Sequence, residues 1–106
     1  MSQVAQNQNV EIANTIVSQL GGRRFQIMTG ARLFAAIPNG VAFRLGSFPG
    51  VKINAVRITL NGSDLYDVCF MRIWGHDCRV ISEASDVYAE DLQRVFTDAT
   101  GLDTHL

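Results

Sequence analysis

Lysine is nearly missing from this sequence, and the residue types that bind metals or form covalent intermediates are few. Lys52 is the only lysine among nine basic residues, and the 106-residue chain has two cysteines and two histidines. A zinc site needs four protein ligands, or three and a water, so we expect no metal and no cofactor. Arginine makes planar, multidentate contacts, so the bias indicates a binding surface, although a GC-rich coding sequence would produce the same bias.

Long apolar runs are also missing. No stretch approaches the roughly 20 residues of a membrane-spanning helix, and the start MSQVAQNQN lacks the charged and apolar segments of a signal peptide. The formal net charge of −1 gives no overall field that would draw the chain to nucleic acid or to a membrane. We therefore expect a cytoplasmic protein that does not bind membranes.

The composition that remains is that of an ordinary globular protein, with 47% hydrophobic and 18% charged residues. The length fits one domain, and we predict a flexible N-terminus over residues 1–8 and a single domain over residues 9–106. A helix is predicted over residues 9–20, with Asn9 as its cap and with Gly21 and Gly22 ending it.

A second helix is predicted over residues 86–100, capped by Ser85 or Asp86. Gly101 ends it, and Leu102 folds back as the hydrophobic contact that follows such a glycine. The apolar stripe at helical spacing consists of Tyr88, Leu92, Val95, Phe96 and Ala99.

Between the helices, alternating apolar residues predict strands at residues 25–28, 33–37, 41–45, 56–60, 65–74 and 78–83. Turns are predicted at residues 38–40, 61–63 and 75–77. At residues 61–63 a three-residue turn keeps one sheet face apolar, whereas a two-residue turn does not. The pattern predicts an α+β fold: a two-layer sandwich with an antiparallel sheet of five to six meandering strands and the N-terminal and C-terminal helices on one face.

The strand over residues 65–74 is unusual because its segment VCFMRIW is apolar at both parities. A sheet covered on one side cannot bury both, so the second side is predicted to be an interface. The alternative is a bulge near Arg72 that re-aims the later residues. The candidate partner-binding residues are the apolar residues at the end of this strand and nearby arginines, namely Met71, Ile73, Trp74, Arg57, Arg44 and Arg72.

The stretch GGRRFQIMTGARLF, residues 21–34, has the glycines of a phosphate-binding loop but not its context. A Walker loop needs Gly-Lys-Ser or Gly-Lys-Thr between a strand and a helix, whereas Gly30 is followed by Ala31 and the stretch has no lysine. We interpret Gly21 and Gly22 as a helix stop and residues 28–31 as a tight turn or bulge between strands.

Residues that could support catalysis are scattered. The HDC segment at residues 76–78 lies in a turn, and Cys69 is predicted to lie roughly 16 Å from Cys78, too far for a shared metal or a disulfide. Asp64 and Asp67 beside a turn are expected to be solvated or bonded to backbone amides. Because no nucleophile has a base and an orienting group, we predict no enzymatic activity.

The strings ANTIVSQLGGRRFQIMTGARLF, VRITLNGSDLYDVCF and DVYAEDLQRVFTDATGLDTHL resemble, in this order, a family of small proteins of bacteriophages, prophages and other mobile genetic elements. The resemblance covers about residues 12–106, and Arg32 departs from it where relatives often have lysine. It implies an accessory role in a phage or mobile element and supplies no activity, ligand or site residue.

These observations favour a non-enzymatic phage or mobile-element accessory protein that binds a host protein or protein complex, as an anti-defence inhibitor of the anti-CRISPR type. The second hypothesis is a nucleic-acid-binding accessory protein that uses the arginine-bearing sheet face. An enzyme that depends on His76 or Cys78 ranks last. A homodimer is compatible with each of them.

Overall fold

The computed structural model describes residues 2–102 of the chain, and the side chains of residues 9–102. His105, which the sequence placed at the C-terminal end, lies outside the described residues. In chain order the elements are α1 (Ser2–Leu20), α2 (Arg23–Thr29), β1 (Arg32–Ile37), β2 (Gly40–Arg44), β3 (Ala55–Leu60), β4 (Tyr66–Trp74), β5 (Asp77–Val87), a 3-10 turn (Ala89–Asp91) and α3 (Leu92–Thr100).

The five strands form one antiparallel sheet in the order β1-β2-β3-β4-β5, so each strand pairs with its neighbour in sequence. The three helices cover one face of this sheet, which confirms the predicted α+β sandwich. The opposite face, called the open face below, carries no helix of the described chain. The core between helices and sheet contains the buried residues Ala13, Ile16, Leu20, Phe25, Val41, Phe43, Leu45, Val56, Ile58, Tyr66, Val68, Phe70, Leu92 and Phe96.

Phe25 is fully buried in the core, and its contacts there favour a helix at α2. Its ring meets that of Phe43 at 5.5 Å and that of Phe96 at 5.0 Å between centroids, both edge-on. Thr29, one helical turn later, is also buried and donates its hydroxyl to the Phe25 carbonyl. The predicted strand over residues 25–28 is therefore wrong, because burial here follows the helical spacing and leaves Ile27 71% exposed.

Helix α1 begins at Ser2, so the predicted start at Asn9 is wrong. The side-chain oxygen of Asn9 instead accepts a hydrogen bond from the backbone N–H of Asn39, which joins the helix to the β1–β2 turn. The predicted end is confirmed: Gly21 and Gly22 have positive φ and donate their N–H groups to carbonyls of the last helical turn.

The turn between β3 and β4 is longer than predicted. Leu60 pairs with Tyr66, so residues 61–65 form a five-residue turn, and Ile58 faces Val68. The three-residue prediction gave the correct sheet face for every residue but a register two residues off. The side-chain oxygen of Asn61 holds the longer turn by accepting the N–H groups of Ser63 and Leu65.

The C-terminal segment also differs from the prediction. Strand β5 continues to Val87, and α3 starts only at Leu92, so neither Ser85 nor Asp86 caps a helix. Asp86 has a φ of 56° at a register shift of the β4–β5 pairing. Tyr88, predicted in the apolar stripe, is 57% exposed. The rest of the stripe is confirmed by its burial.

The end of α3 matches the prediction. Gly101 has a φ of 77° and donates its N–H to the Thr97 carbonyl. Leu102 then packs against the core. Among residues 2–102, no helix has the length and apolar character needed to cross a membrane.

Candidate functional site

Strand β4 divides the candidate residues between the two faces of the sheet. Successive side chains of a strand point to opposite faces. Met71 and Ile73 lie on the open face with Arg44 and Arg57, whose side chains line a common depression. The other two candidates, Arg72 and Trp74, share the helix-covered face but lie at the end of the β4–β5 hairpin, where they line a second cleft. The six residues therefore form two separate groups.

The exposure of the apolar candidates differs from the expectation. Met71 is only 6% exposed, Ile73 is half-buried, and Trp74 is 49% exposed. The predicted bulge lies on the neighbouring strand: Phe70 faces Ser82 and Met71 faces Val80, which leaves Ile81 of β5 without a partner. Side chains therefore alternate between the two faces along the whole of β4. At the end of the strand one face carries Met71 and Ile73, and the other carries Arg72 and Trp74.

On the open face, Arg44 and Arg57 alternate with small residues on neighbouring strands. Arg44 faces Ala55 of β3, and Arg57 faces Ala42 of β2. Each long side chain therefore lies beside a short one, and the resulting depression has a volume of about 200 Å³. Its apolar floor includes Met71.

The charges of the open face change sign from one side of the sheet to the other. Within the described residues neither Arg44 nor Arg57 makes an ion pair. Cys69 lies beside Arg57, and Glu83 of β5 lies beside Cys69. Burial raises the pKa of the Cys69 thiol, Glu83 raises it further, and Arg57 opposes both. The open face thus has a basic side on β2 and β3 and one carboxylate, Glu83, on the edge strand β5.

The second group lies in a cleft at the tip of the β4–β5 hairpin, here called the tip cleft. It has a volume of about 580 Å³ and is lined by Lys52, Arg72, Trp74, Arg79 and Ile81. A guanidinium nitrogen of Arg72 donates to the Lys52 carbonyl at 3.0 Å. This bond ties the loop before β3 to the hairpin and brings Lys52 to the cleft.

A neighbouring asparagine fixes the same loop from the other side. The side chain of Asn54 donates to the carbonyl of Ile73 and accepts its N–H, both at 2.8 Å. Two backbone hydrogen bonds of Asn54, to Leu45 and Met71, complete the attachment. The tip cleft is therefore built on a loop that is hydrogen-bonded to β4 and to Leu45, the residue after β2.

Sequence reasoning missed Lys52, Arg79 and Ile81. It placed a three-residue turn at residues 75–77, whereas Trp74 pairs with Asp77 and only residues 75–76 form the turn. This one-residue difference moves the side chains of residues 77–80 to the other face. The bulge at Ile81 then returns residues 82–84 to the predicted pairing. A two-residue turn with Gly75 in the left-handed region, where its φ is 57°, would have placed Arg79 opposite Arg72.

The residues considered for catalysis have other contacts. The Cys78 sulfur lies 3.7 Å from the Met71 sulfur. A carboxylate oxygen of Asp67 accepts the N–H of Asp86 and an amide N–H of Asn61, as expected for an aspartate beside a turn. Over residues 2–102, no three side chains of histidine, cysteine, aspartate or glutamate are close enough to share a metal ion.

The glycine-rich stretch has a structural role at both of its ends. Gly30 ends α2 with a φ of 66°, so residues 28–31 connect a helix to a strand and not two strands as predicted. A Cβ at Gly30 would lie 2.8 Å from the Cα of Gly46, whose N–H donates to the Thr29 carbonyl. Gly30 is needed for both its backbone angle and this close approach.

Comparisons of the chain with protein-family models, curated proteins and solved structures find no match.

Proposed function

We propose that this protein is a non-enzymatic accessory protein of a phage or mobile element that binds a host protein with its open face. The observation that carries the proposal is the pair of arginines, Arg44 and Arg57, without acidic partners in the described structure beside the apolar floor that includes Met71. The matching partner is a protein surface with carboxylates around an apolar centre.

The open face is better suited to a protein than to a nucleic acid strand. The carboxylate of Glu83 on β5, two strands away from Arg57, would repel a phosphate backbone laid across the sheet. A protein surface can match both signs at once, because complementary potentials direct encounter and fix the docking register. Arginine is also enriched in protein interfaces.

The biological role is proposed from the resemblance to phage and prophage proteins. A small protein that covers a functional surface of a host defence complex would inhibit it without catalysis, as an anti-CRISPR-type inhibitor does. The site of action would be the host cytoplasm. A homodimer through the open face is the competing use of the same surface.

An affinity capture with matched variants tests this proposal. Tagged protein is incubated with nuclease-treated host lysate, beside the variant Arg44→Glu/Arg57→Glu. The matched control is Arg23→Glu/Arg24→Glu, which changes two exposed arginines on α2, in the helix layer. We expect wild type and control to capture one host protein at 1:1 stoichiometry. Capture by the open-face variant should fall by about tenfold or more, since two favourable charge contacts become repulsive.

Three results would overturn the proposal. Equal capture by both double variants would show that the open face is not the interface. Recovery of no host protein by a wild-type monomer would remove the host partner. A wild-type dimer that dissociates in the Arg44→Glu/Arg57→Glu variant would assign the open face to self-association. Circular dichroism of each variant checks that the fold is retained.

Nucleic-acid binding is the second candidate function, and the tip cleft is the observation that favours it. The cleft combines an exposed tryptophan with three basic residues on the face opposite Arg44 and Arg57. The arginine-bearing open face, where the sequence suggested this activity, is the less suitable surface.

A further inference from the structure

The tip cleft presents an aromatic surface at its rim. Trp74 is 49% exposed, and Ile81 beside it is 37% exposed, so the cleft has an apolar wall open to solvent. Trp74 is the only tryptophan of the chain. An exposed tryptophan face favours the stacking of flat, aromatic ligands, because every nucleic acid base has such a face.

Three positive charges surround this aromatic wall. Arg72 and Arg79 face each other directly across β4 and β5, and Lys52 lies at the same cleft. Like charges directly opposite each other on a sheet repel. None of the three forms an ion pair in the described part of the chain, where the ion pairs join Arg94 to Asp91 and Asp98. A bound anion between them would convert this repulsion into attraction.

The geometry of the cations suits a phosphate group. The hydrogen bond from Arg72 to the Lys52 carbonyl fixes one guanidinium nitrogen and restricts the orientation of the remaining donors. A guanidinium held in this way offers planar donors that match phosphate oxygens, and less entropy is lost on binding. Arg79 and Lys52 add charge from the other strand and from the loop.

Two carboxylates lie near the ends of the cleft and limit its extent. Asp77 faces Trp74 at the hairpin turn. On the other side, Asp98 borders Ser82 in a neighbouring groove and pairs with Arg94. The basic region is therefore short, which fits one or two phosphates and not a long duplex contact.

We propose that the tip cleft binds single-stranded nucleic acid, with one base stacked on Trp74 and the flanking phosphates on Arg72, Arg79 and Lys52. A single strand is required because the base must be free to stack on the side chain. Stacking on an aromatic side chain is available to every base, so we expect binding that is tolerant of sequence. This inference rests on the second candidate function and specifies its ligand and contacts, on a different face from the one proposed for the host protein.

The single tryptophan makes the test direct. Oligothymidylate of about eight nucleotides is titrated into the protein while the fluorescence of Trp74 is followed. We expect saturable quenching by stacking. One or two phosphate contacts predict that the logarithm of the binding constant falls with the logarithm of salt concentration with a slope of about −0.7 to −1.4.

Variants separate stacking from charge. With a labelled oligonucleotide followed by anisotropy, Trp74→Ala should weaken binding by roughly tenfold or more, while Trp74→Phe retains most of it. The matched control Tyr88→Ala changes another exposed aromatic residue, which is 57% exposed outside the cleft, and should change nothing. Arg79→Ala should reduce both the affinity and the salt slope, whereas Arg23→Ala on α2 should not.

Competing ligands decide what the tip cleft recognises. An abasic strand of the same length that competes as well as oligothymidylate would show simple polyanion binding and overturn the inference. Equal affinity for free ATP or thymidine monophosphate would show a small-nucleotide site instead. Duplex that quenches as strongly as the single strand, or no binding at all, would also contradict it.

The result is independent of the proposed function. Arg44→Glu/Arg57→Glu leaves every residue of the tip cleft unchanged, and we expect it to retain quenching by the oligonucleotide. Loss of quenching in that variant alone would place the strand on the open face and overturn the inference.

Discussion

Gly30 is a residue at which two independent constraints act. Its φ of 66° costs an L-residue about 1–2 kcal/mol, and a Cβ there would lie 2.8 Å from the Cα of Gly46. Gly75 has a similar φ of 57° with open space around it. We predict that Gly30→Ala lowers the free energy of unfolding by about 1–3 kcal/mol more than Gly75→Ala, measured by urea denaturation. Equal losses would show that no close approach exists.

Asn61 links three segments by its side chain alone. Its oxygen accepts the N–H groups of Ser63 and Leu65, and its amide donates to Asp67 and Asp86. Because several hydrogen bonds are lost together, Asn61→Ala should lower the free energy of unfolding by about 1–3 kcal/mol. Ser63→Ala is the control, since the contact of that residue uses its backbone N–H, and it should be neutral within about 0.5 kcal/mol. The reverse order of effects would contradict the described turn.

Alkaline pH should destabilise the protein through Cys69 and Tyr66. Burial raises the pKa of both groups in the folded state, so the unfolded chain loses these protons first as the pH rises. Stability is therefore complete below the ordinary thiol pKa of about 8.5 and falls above it. Urea midpoints measured from pH 7 to pH 10.5 should fall in this window, and less steeply for Cys69→Ala. An equal fall in both proteins would exclude the contribution of Cys69.

At the scale of single residues, the sequence predicted much of the core correctly. Ile16, Leu20, Val56, Ile58 and Phe96 are buried as their spacing indicated, because burial follows local periodicity. The burial of Met71 could not be predicted from the sequence. Met71 lies on the open face, and it is only 6% exposed because residues of the two neighbouring strands cover it. The position of Arg79 opposite Arg72 depends on the pairing of β4 with β5, which local sequence patterns do not determine.

At the scale of elements, the failures concern short segments and registers. The segment at residues 25–28 alternates apolar and polar residues, and seven residues give too little helical periodicity to overrule that pattern. The contacts of Phe25 with Phe43 and Phe96 in the core stabilise the helix at these residues. The strands of the two long hairpins were predicted, although β5 ends four residues later than expected, at Val87. The turn lengths differed from the prediction by two residues and by one.

Helix α3 offers a test of its corrected boundary. Phe96 is 1% exposed and contacts Phe25 and Phe70, whereas Tyr88 is 57% exposed outside the helix. Phe96→Ala should therefore lower the free energy of unfolding by about 3–5 kcal/mol. Tyr88→Ala should lower it by less than about 1 kcal/mol, as measured by thermal and urea unfolding. A large loss for Tyr88→Ala would restore the longer helix that the sequence suggested.

At the scale of the whole molecule, β4 carries two surfaces of different chemistry back to back. The open face joins Arg44 and Arg57 to an apolar floor, and the tip cleft joins Trp74 to Arg72 and Arg79. The sequence predicted the residues of both surfaces in part, since an apolar strand beside arginines was the signal. It grouped the six candidate residues as one interface, although the alternation along β4 places Met71 and Trp74 on opposite faces.

The central claim is that the open face is where this protein contacts its host partner. The most direct measurement places a photo-crosslinking amino acid in cells at position 80, where Val80 is 49% exposed on the open face. The matched control is position 27, where Ile27 is 71% exposed on α2. The account predicts a covalent adduct with one host protein from position 80 and none from position 27. Adducts from position 27 alone, or equally from both positions, would contradict it.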